Sequence, residues 1–329
     1  MRLWALGLSL LLTGCALLPT GTNPQPDSDL VQQLPSSTEI QDTPFIQQAD
    51  FQCGPASLAM VLQQQGYAIS AETLASQVFT PRAEGSFPVE MDIAARRQGL
   101  VSYPVSSLDN LLQELAAGHP VLVLQNLGVS WYPKWHFAVV IGYDLASREL
   151  VLRSGDLPRR ITPFAVFDRT WQRSDRWGRV VLPGSRLPAT AEPLPYITAV
   201  SGLEHSGHTA AALTAYATAL QAWPDAHLAR FGLANTLLAS QQIEAALQEY
   251  QALLLQQPTW VAVWNNLAYA LQAAGCPTEA RSAVECGLGL APEDPNLLDT
   301  LQDMPGPSPD VPFPDAPACP VIACPALSP

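Results

Sequence analysis

An α+β domain followed by an all-α solenoid is the architecture this sequence predicts, on three observations. Between Phe45 and Gly184, helix-like patterns come first and short apolar, strand-like runs come second. Beyond Pro195 strand-like runs cease and residues recur with a period of 34. Cys53 opens the first helical pattern and His136 opens one of the strands, so each half of the first domain carries one reactive side chain.

The elements follow in order. Gly54-Pro55 can open a helix running to Gln65 and closed by Gly66, with Leu58, Met60, Val61 and Leu62 as its core residues. Ser70 can cap Ala71–Val78, Val89–Gln98 ends at Gly99, and Ser107 can cap Leu108–Ala117, which ends at Gly118. Strands are expected at Val121–Leu124, Phe137–Ile141, Leu150–Leu152 and Arg179–Leu182, each a short apolar run bounded by Gly, Pro or Asp.

Composition narrows the functional classes. An apolar share of 48% over 329 residues can furnish about two cores. The formal charge of −13, with Lys134 the sole lysine, argues against nucleic acid as partner. Arginines between Arg148 and Arg186 read as a solvated strand-and-loop face. Met1-Arg2, the apolar Leu3–Leu12 and the run Leu12-Thr13-Gly14-Cys15 form a lipoprotein signal of residues 1–14, with Cys15 as the acylated residue. Ala16 after that cysteine favours the outer membrane, so the expected location is the bacterial envelope, lipid-anchored and facing the periplasm. Residues 15–42 read as a flexible tether, 43–187 as the α+β domain, 188–300 as the repeats and 301–329 as a proline-rich, extended tail.

Cys53 has the setting of a nucleophile. A thiol at a helix start meets unpaired N–H groups and the positive dipole end, which should depress its pKa below the free value. His136 is the expected base, held on a strand beside the aromatic run Trp131-Tyr132-Pro133-Lys134-Trp135. The rival His119 lies in a helix-to-strand turn and reads as structural. A side-chain amide just before the nucleophile suits an oxyanion donor, which Gln47 or Gln48 can supply. Behind His136, Asp156 is the chemically stronger third group, as an anion, and Ser154 the alternative on placement. No cofactor is expected. No histidine lies beside the remaining cysteines, so a metal site is not expected either. Cys276 and Cys286, ten apart and assigned to neighbouring helices, with Cys319 and Cys324 in the tail, instead suggest two disulfides of open pairing.

Pro44-Phe45, Gln48, Gln52-Cys53-Gly54-Pro55-Ala56, Gly118-His119-Pro120-Val121, Gln125–Gly128, Trp135–Val140, Gly142-Tyr143-Asp144 and Leu152–Gly155 together resemble the papain-like cysteine peptidases of the bacteriocin-processing, double-glycine type, in their stand-alone lipoprotein branch. The resemblance spans Pro44 to about Arg160 and implies a papain-like fold, with Cys53 as nucleophile, His136 as base and Gln48 as the oxyanion glutamine, Gln47 staying open. Many relatives have Asp-Pro where this chain has Ser154-Gly155-Asp156, which leaves the third group open between Ser154 and Asp156.

Pro224, Pro258 and Pro292 are spaced by 34, as are Ala212, Ala246 and Ala280. That is the tetratricopeptide period, in about three units at 195–225, 226–259 and 260–293. Leu203, Leu237 and Leu271 share the register, and Tyr216, Tyr250 and Val284 occupy matching second-helix sites. Trp260, Trp264, Asn265 and Asn266 are candidates for a peptide-binding face, with both tryptophans also suited to packing between repeats. The expected function is a lipid-anchored cysteine peptidase acting on a peptide or protein substrate, with repeats recruiting that substrate or a partner. A peptide-binding scaffold and a thiol amidase or transamidase are the alternatives. The first domain, having its own core, is expected to fold without the repeats.

Overall fold

The computed structural model describes residues 25–48, 51–80, 85–129, 131–304 and 319–325. The signal segment, Cys15 and most of the tail lie outside the described residues. The first domain contains α1 (Ser28–Gln33), β1 (Ser37–Glu39), α2 (Cys53–Gln64), α3 (Ala71–Val78), α4 (Pro88–Arg97), β2 (Leu100–Pro104), α5 (Leu108–Ala116), β3 (Val121–Asn126), β4 (Trp135–Asp144), β5 (Glu149–Ser154), β6 (Leu157–Pro163), α6 (Phe164–Gln172) and β7 (Gly178–Pro183). The second is a run of helix pairs: α7 (Pro193–Glu204) with α8 (Thr209–Ala222), α9 (His227–Ala239) with α10 (Ile243–Gln256) and α11 (Val261–Ala273) with α12 (Pro277–Leu290), closed by α13 (Pro295–Asp303). No described helix is long and apolar enough to cross a membrane.

The strands form one antiparallel sheet in the order β2-β7-β3-β4-β5-β6. Buried on both faces, β3 and most of β4 read as continuous apolar runs, and α2 packs across them with Gly54 to Leu62 all buried. Residues 15–42 are not all tether. Ser37–Glu39 pairs with Gly142–Asp144 of β4, Ile40 enters the core, and α1 is capped by the Asp27 side chain. A strand of three residues, Ser-Thr-Glu, carries too little apolar signal to be read locally; its partner strand supplies the pairing. The polar β6 also escaped the apolar-run criterion, because it is an exposed edge strand with prolines at Pro158 and Pro163.

In the solenoid Ala212, Ala246 and Ala280 are buried where helices cross closely. The Tyr216 ring fills the space over Gly232, where an added Cβ would lie 2.4 Å from it. One repeat later Tyr250 donates its hydroxyl to Asn235 Oδ1 at 2.7 Å, and Asn266 donates to the same oxygen at 2.9 Å. Asn266 thus bridges repeats, and Trp260 stacks near Phe231 at 4.9 Å. Cys276 pairs with Cys319 and Cys286 with Cys324. Cys276 caps α12 and Cys286 lies within it, so one helix, not two neighbours, carries both anchors of the tail.

The domains share a core, which corrects the expectation of an independent first domain. β2 turns Leu100 into the first core and Val101 and Tyr103 toward Tyr196, Val200 and Leu203. Fully buried Glu114 accepts from Ala189 N at 3.0 Å, from Thr190 N at 2.8 Å, from Thr190 Oγ1 at 2.6 Å and from His119 Nδ1 at 2.8 Å. Burial alone would raise its pKa, yet the bonds from His119, Thr190 and Ala189 hold it below the ordinary carboxylate value. A chain ended after Leu187 would expose Val101 and Tyr103, at about 1.5–3 kcal/mol each, and would strip Glu114 of three donors. Urea unfolding should therefore show a marked loss for that truncation and a much smaller one for a chain ended after Trp223, which keeps α7 and α8.

Candidate active site

Cys53 is the first residue of α2, after Phe51 in the left-handed region (φ 62°) and Gln52, whose side chain makes no cap. The first-turn N–H groups therefore stay available beside the thiol. The next residue is glycine because the segment after Gly85 passes close: a Cβ on Gly54 would lie 2.6 Å from Ser86 Oγ. Backbone N–H groups of Phe137, Gly54 and Cys53 favour the thiolate, but burial outweighs them and pushes the Cys53 thiol up. The expected depressed pKa is thus not what the surroundings produce. The helix start is present, but desolvation dominates it.

His136 enters the site from the start of β4, opposite Gln125 of β3. Its Nε2 lies 2.9 Å from Ser154 Oγ, and Ser154 is buried. With Nε2–H donating to that hydroxyl, Nδ1 is left as the ring acceptor, as a base requires. Burial, and then the charge of Arg160, lower the His136 pKa to about 4. An imidazolium is disfavoured, so His136 lends Cys53 no positive charge, and the resting pair is neutral thiol and neutral imidazole.

Ser154, not Asp156, is thus the group behind His136. Ser154 pairs with Leu157 across a two-residue turn, Gly155-Asp156, with Gly155 at φ 64°. Asp156 sits at the exposed tip of that turn, outside the cavity lining. The Ser-Gly-Asp-Leu sequence between two strands carries this signal, since glycine at the first turn position places the next residue at the tip. His119 is committed to Glu114. Gln48 is in the site and Gln47 is exposed. Gln48 N donates to Gly155 O at 3.1 Å and Gln48 Oε1 accepts from Gly155 N at 2.8 Å, while Nε2 donates to Ser57 Oγ at 2.9 Å and to Phe137 O at 3.4 Å.

Cys53, His136 and Gln48 line one cavity of about 870 Å³. Its far wall, which the sequence reading missed, is the turn between α6 and β7. There Asp175 and Arg176 both adopt positive φ and Trp177 packs edge-on against Phe137 at 5.5 Å. Arg179 lies over Trp177 at 4.8 Å and forks onto buried Asp92 at 2.8 and 3.0 Å. The other arginines of that stretch are also largely engaged, Arg153 with Thr43 O, Arg159 with Glu39 and Arg176 with Asp168. Exposed Trp131 and Tyr132 lie together in the hairpin between β3 and β4, and exposed Trp135 at the start of β4 lines the cavity. Among the described residues, the cluster of metal-type donors is Cys276, Glu279 and Cys319, whose sulfurs are joined in a disulfide.

A thiol on a helix, facing a histidine on a sheet across a cleft, defines a papain-like arrangement. Residues 40–175 match the Peptidase_C39 like family and residues 203–268 match a tetratricopeptide repeat family, so an α+β domain similar to C39-like peptidases is followed by a helical region similar to tetratricopeptide repeats. Among solved structures, a protein described as a C39-like peptidase from Bacillus anthracis is 19% identical, with a TM-score of 0.39 over 45% of this chain and 98% of that one. A MamA RS-1 ArsTM double mutant is 21% identical, with a TM-score of 0.32 over 34% of this chain and 64% of the other. Among curated proteins none matches.

The pH dependence follows from these surroundings. The rate of Cys53 alkylation by iodoacetamide should climb through an inflection above the ordinary thiol value, with no plateau on the acid side. Arg160→Gln removes a cation that opposes protonation, so the His136 pKa should rise from about 4 toward its unperturbed value. Imidazole proton NMR titration reads that shift, and an unchanged value would contradict the role given to Arg160.

Proposed function

We propose that the protein is an envelope cysteine peptidase, held to a membrane by lipid on Cys15, whose repeats recruit a protein substrate or partner. The observation that carries the reading is the convergence of Cys53, of His136 backed by Ser154, and of Gln48 on one cavity. Cys53 Sγ attacks a peptide carbonyl carbon while its proton passes to His136 Nδ1. The carbonyl electron pair moves onto oxygen, where the Cys53 N–H and Gln48 Nε2 hold the charge. Collapse breaks the C–N bond, the proton goes to the leaving amine, and water then hydrolyses the thioester.

The neutral resting pair means that the proton moves as the substrate reacts, and Ser154 orients the ring without offering an anion to an imidazolium. One observation favours a second reading, in which the cleft binds an extended peptide without cutting it: the raised thiol pKa leaves little thiolate at rest.

The deciding experiment compares new protein termini in envelope proteins treated with the wild type and with Cys53→Ala. Termini dependent on Cys53 support the peptidase; binding without new termini supports the scaffold. For a substrate found this way, His136→Ala should lower turnover by about 10²–10⁴. Ser154→Ala should lower it less and Asp156→Ala should leave it unchanged; a loss in the Asp156 variant equal to that in His136→Ala would restore Asp156 as the third group. Cys15→Ser should abolish recovery in the lipid-modified membrane fraction.

A further inference from the structure

Gln48 is tied at every polar atom of its side chain, and the pattern decides which hydrogen it can offer. Its Oε1 accepts from Gly155 N at 2.8 Å, which fixes the amide orientation, because the reversed amide would set an NH2 group against that N–H. Of the two Nε2 hydrogens, one meets Ser57 Oγ at 2.9 Å, an ordinary length, and the other meets Phe137 O at 3.4 Å, near the limit of a hydrogen bond. The second is the one that can transfer, since a developing oxyanion is a stronger acceptor than a neutral peptide carbonyl. Ser57 is completely buried and lies one helical turn after Cys53 on α2, so the helix that carries the nucleophile also carries the anchor for the first hydrogen.

We infer that Ser57 is a positioning residue of the cleft: its hydroxyl holds one hydrogen of Gln48 so that the other is presented to the carbonyl oxygen under attack at Cys53. The inference rests on the peptidase reading and adds to it a residue that never touches the substrate. It also explains a polar side chain in the midst of the buried run from Gly54 to Leu62. Without Ser57 the amide keeps its hold on Gly155 but can pivot about that bond, and the oxyanion meets a donor of less defined direction.

The test separates oxyanion binding from thiol reactivity. A peptidyl aldehyde, acetyl-leucyl-leucyl-argininal, adds to the thiol: the S–C bond forms, the C=O pair becomes an oxygen lone pair, and the thiol proton neutralises it in the hemithioacetal. Iodoacetamide alkylates the same sulfur with no such oxygen. Ser57→Ala should weaken aldehyde capture about tenfold or more while leaving the alkylation rate unchanged. Ser57→Thr, which keeps the hydroxyl, should restore capture. The Gln48→Ala, Ser57→Ala double variant should capture no worse than Gln48→Ala alone, because Ser57 acts only through Gln48. If Gln48→Ala unfolds the Gly155 turn, Gln48→Met, of similar length, closes the same cycle.

Losses that multiply in the double variant, or alkylation falling in step with capture, would mean that Ser57 only packs α2 and would overturn the inference. Full capture by Ser57→Ala alongside lost capture by the Gln48 variant overturns this inference alone. A wild type that is alkylated yet never captures the aldehyde overturns the peptidase reading, and the inference with it.

Discussion

The position of the thiol depends on the burial of α2. Its residues from Gly54 to Leu62 are all covered, so the helix is held by the core against β3 and β4, and Cys53 sits where that core ends. Packing at this density fixes the nucleophile far more firmly than a loop could. The same burial raises the thiol pKa, lowers that of His136, and removes the charge each would otherwise lend the other. Rigidity and reactivity are therefore in tension, and the first-turn N–H groups only partly offset the cost.

The second constraint is the seam between domains. β2 is an edge strand of the sheet, and such an edge and its outer face need cover. Here the first helix pair of the solenoid provides it, with Val101 and Tyr103 packed among Tyr196, Val200 and Leu203, and Glu114 gripping the connecting residues Ala189 and Thr190. The repeats are thus an extension of the first domain's core at one end and a separate stack at the other.

How much of this could be read in advance differed by the kind of signal. The helices from Ala71 to Val78 and from Leu108 carry serine caps, the second also a glycine stop at Gly118, and they form close to the expected bounds. The 34-residue spacing marked the helix pairs because each repeat solves the same packing problem, as with Tyr250 and the Asn235–Asn266 bridge. α6 shows Phe164, Phe167, Asp168 and Trp171 on one buried face, a helical spacing legible in the sequence but set between two strand segments. β1 and β6 could not be found locally, since their residues are polar and their pairing is non-local. Among the site residues, Cys53, His136 and Gln48 stood in recognisable text. Ser57 and Trp177 did not, because their part depends on distances between segments far apart in sequence. The pKa error had a similar source: a helix start is visible in the sequence, whereas the depth of burial around it is not.

The paired cross-links at the far end alter how the solenoid can come apart. A stack of repeats joined only to its neighbours ordinarily frays from its last unit inward, each loss making the next easier. Here Cys276–Cys319 and Cys286–Cys324 close covalent rings spanning 43 and 38 residues, and restricting a chain to such a ring removes about 4 kcal/mol of unfolded-state entropy for the first closure alone. The terminal unit is then no longer the one free to fray first. With the opposite end joined to the sheet through β2, α9 and α10 are the pair that lies outside both covalent rings and is held by packing against its neighbouring repeats, in a core shared with α11 and α12.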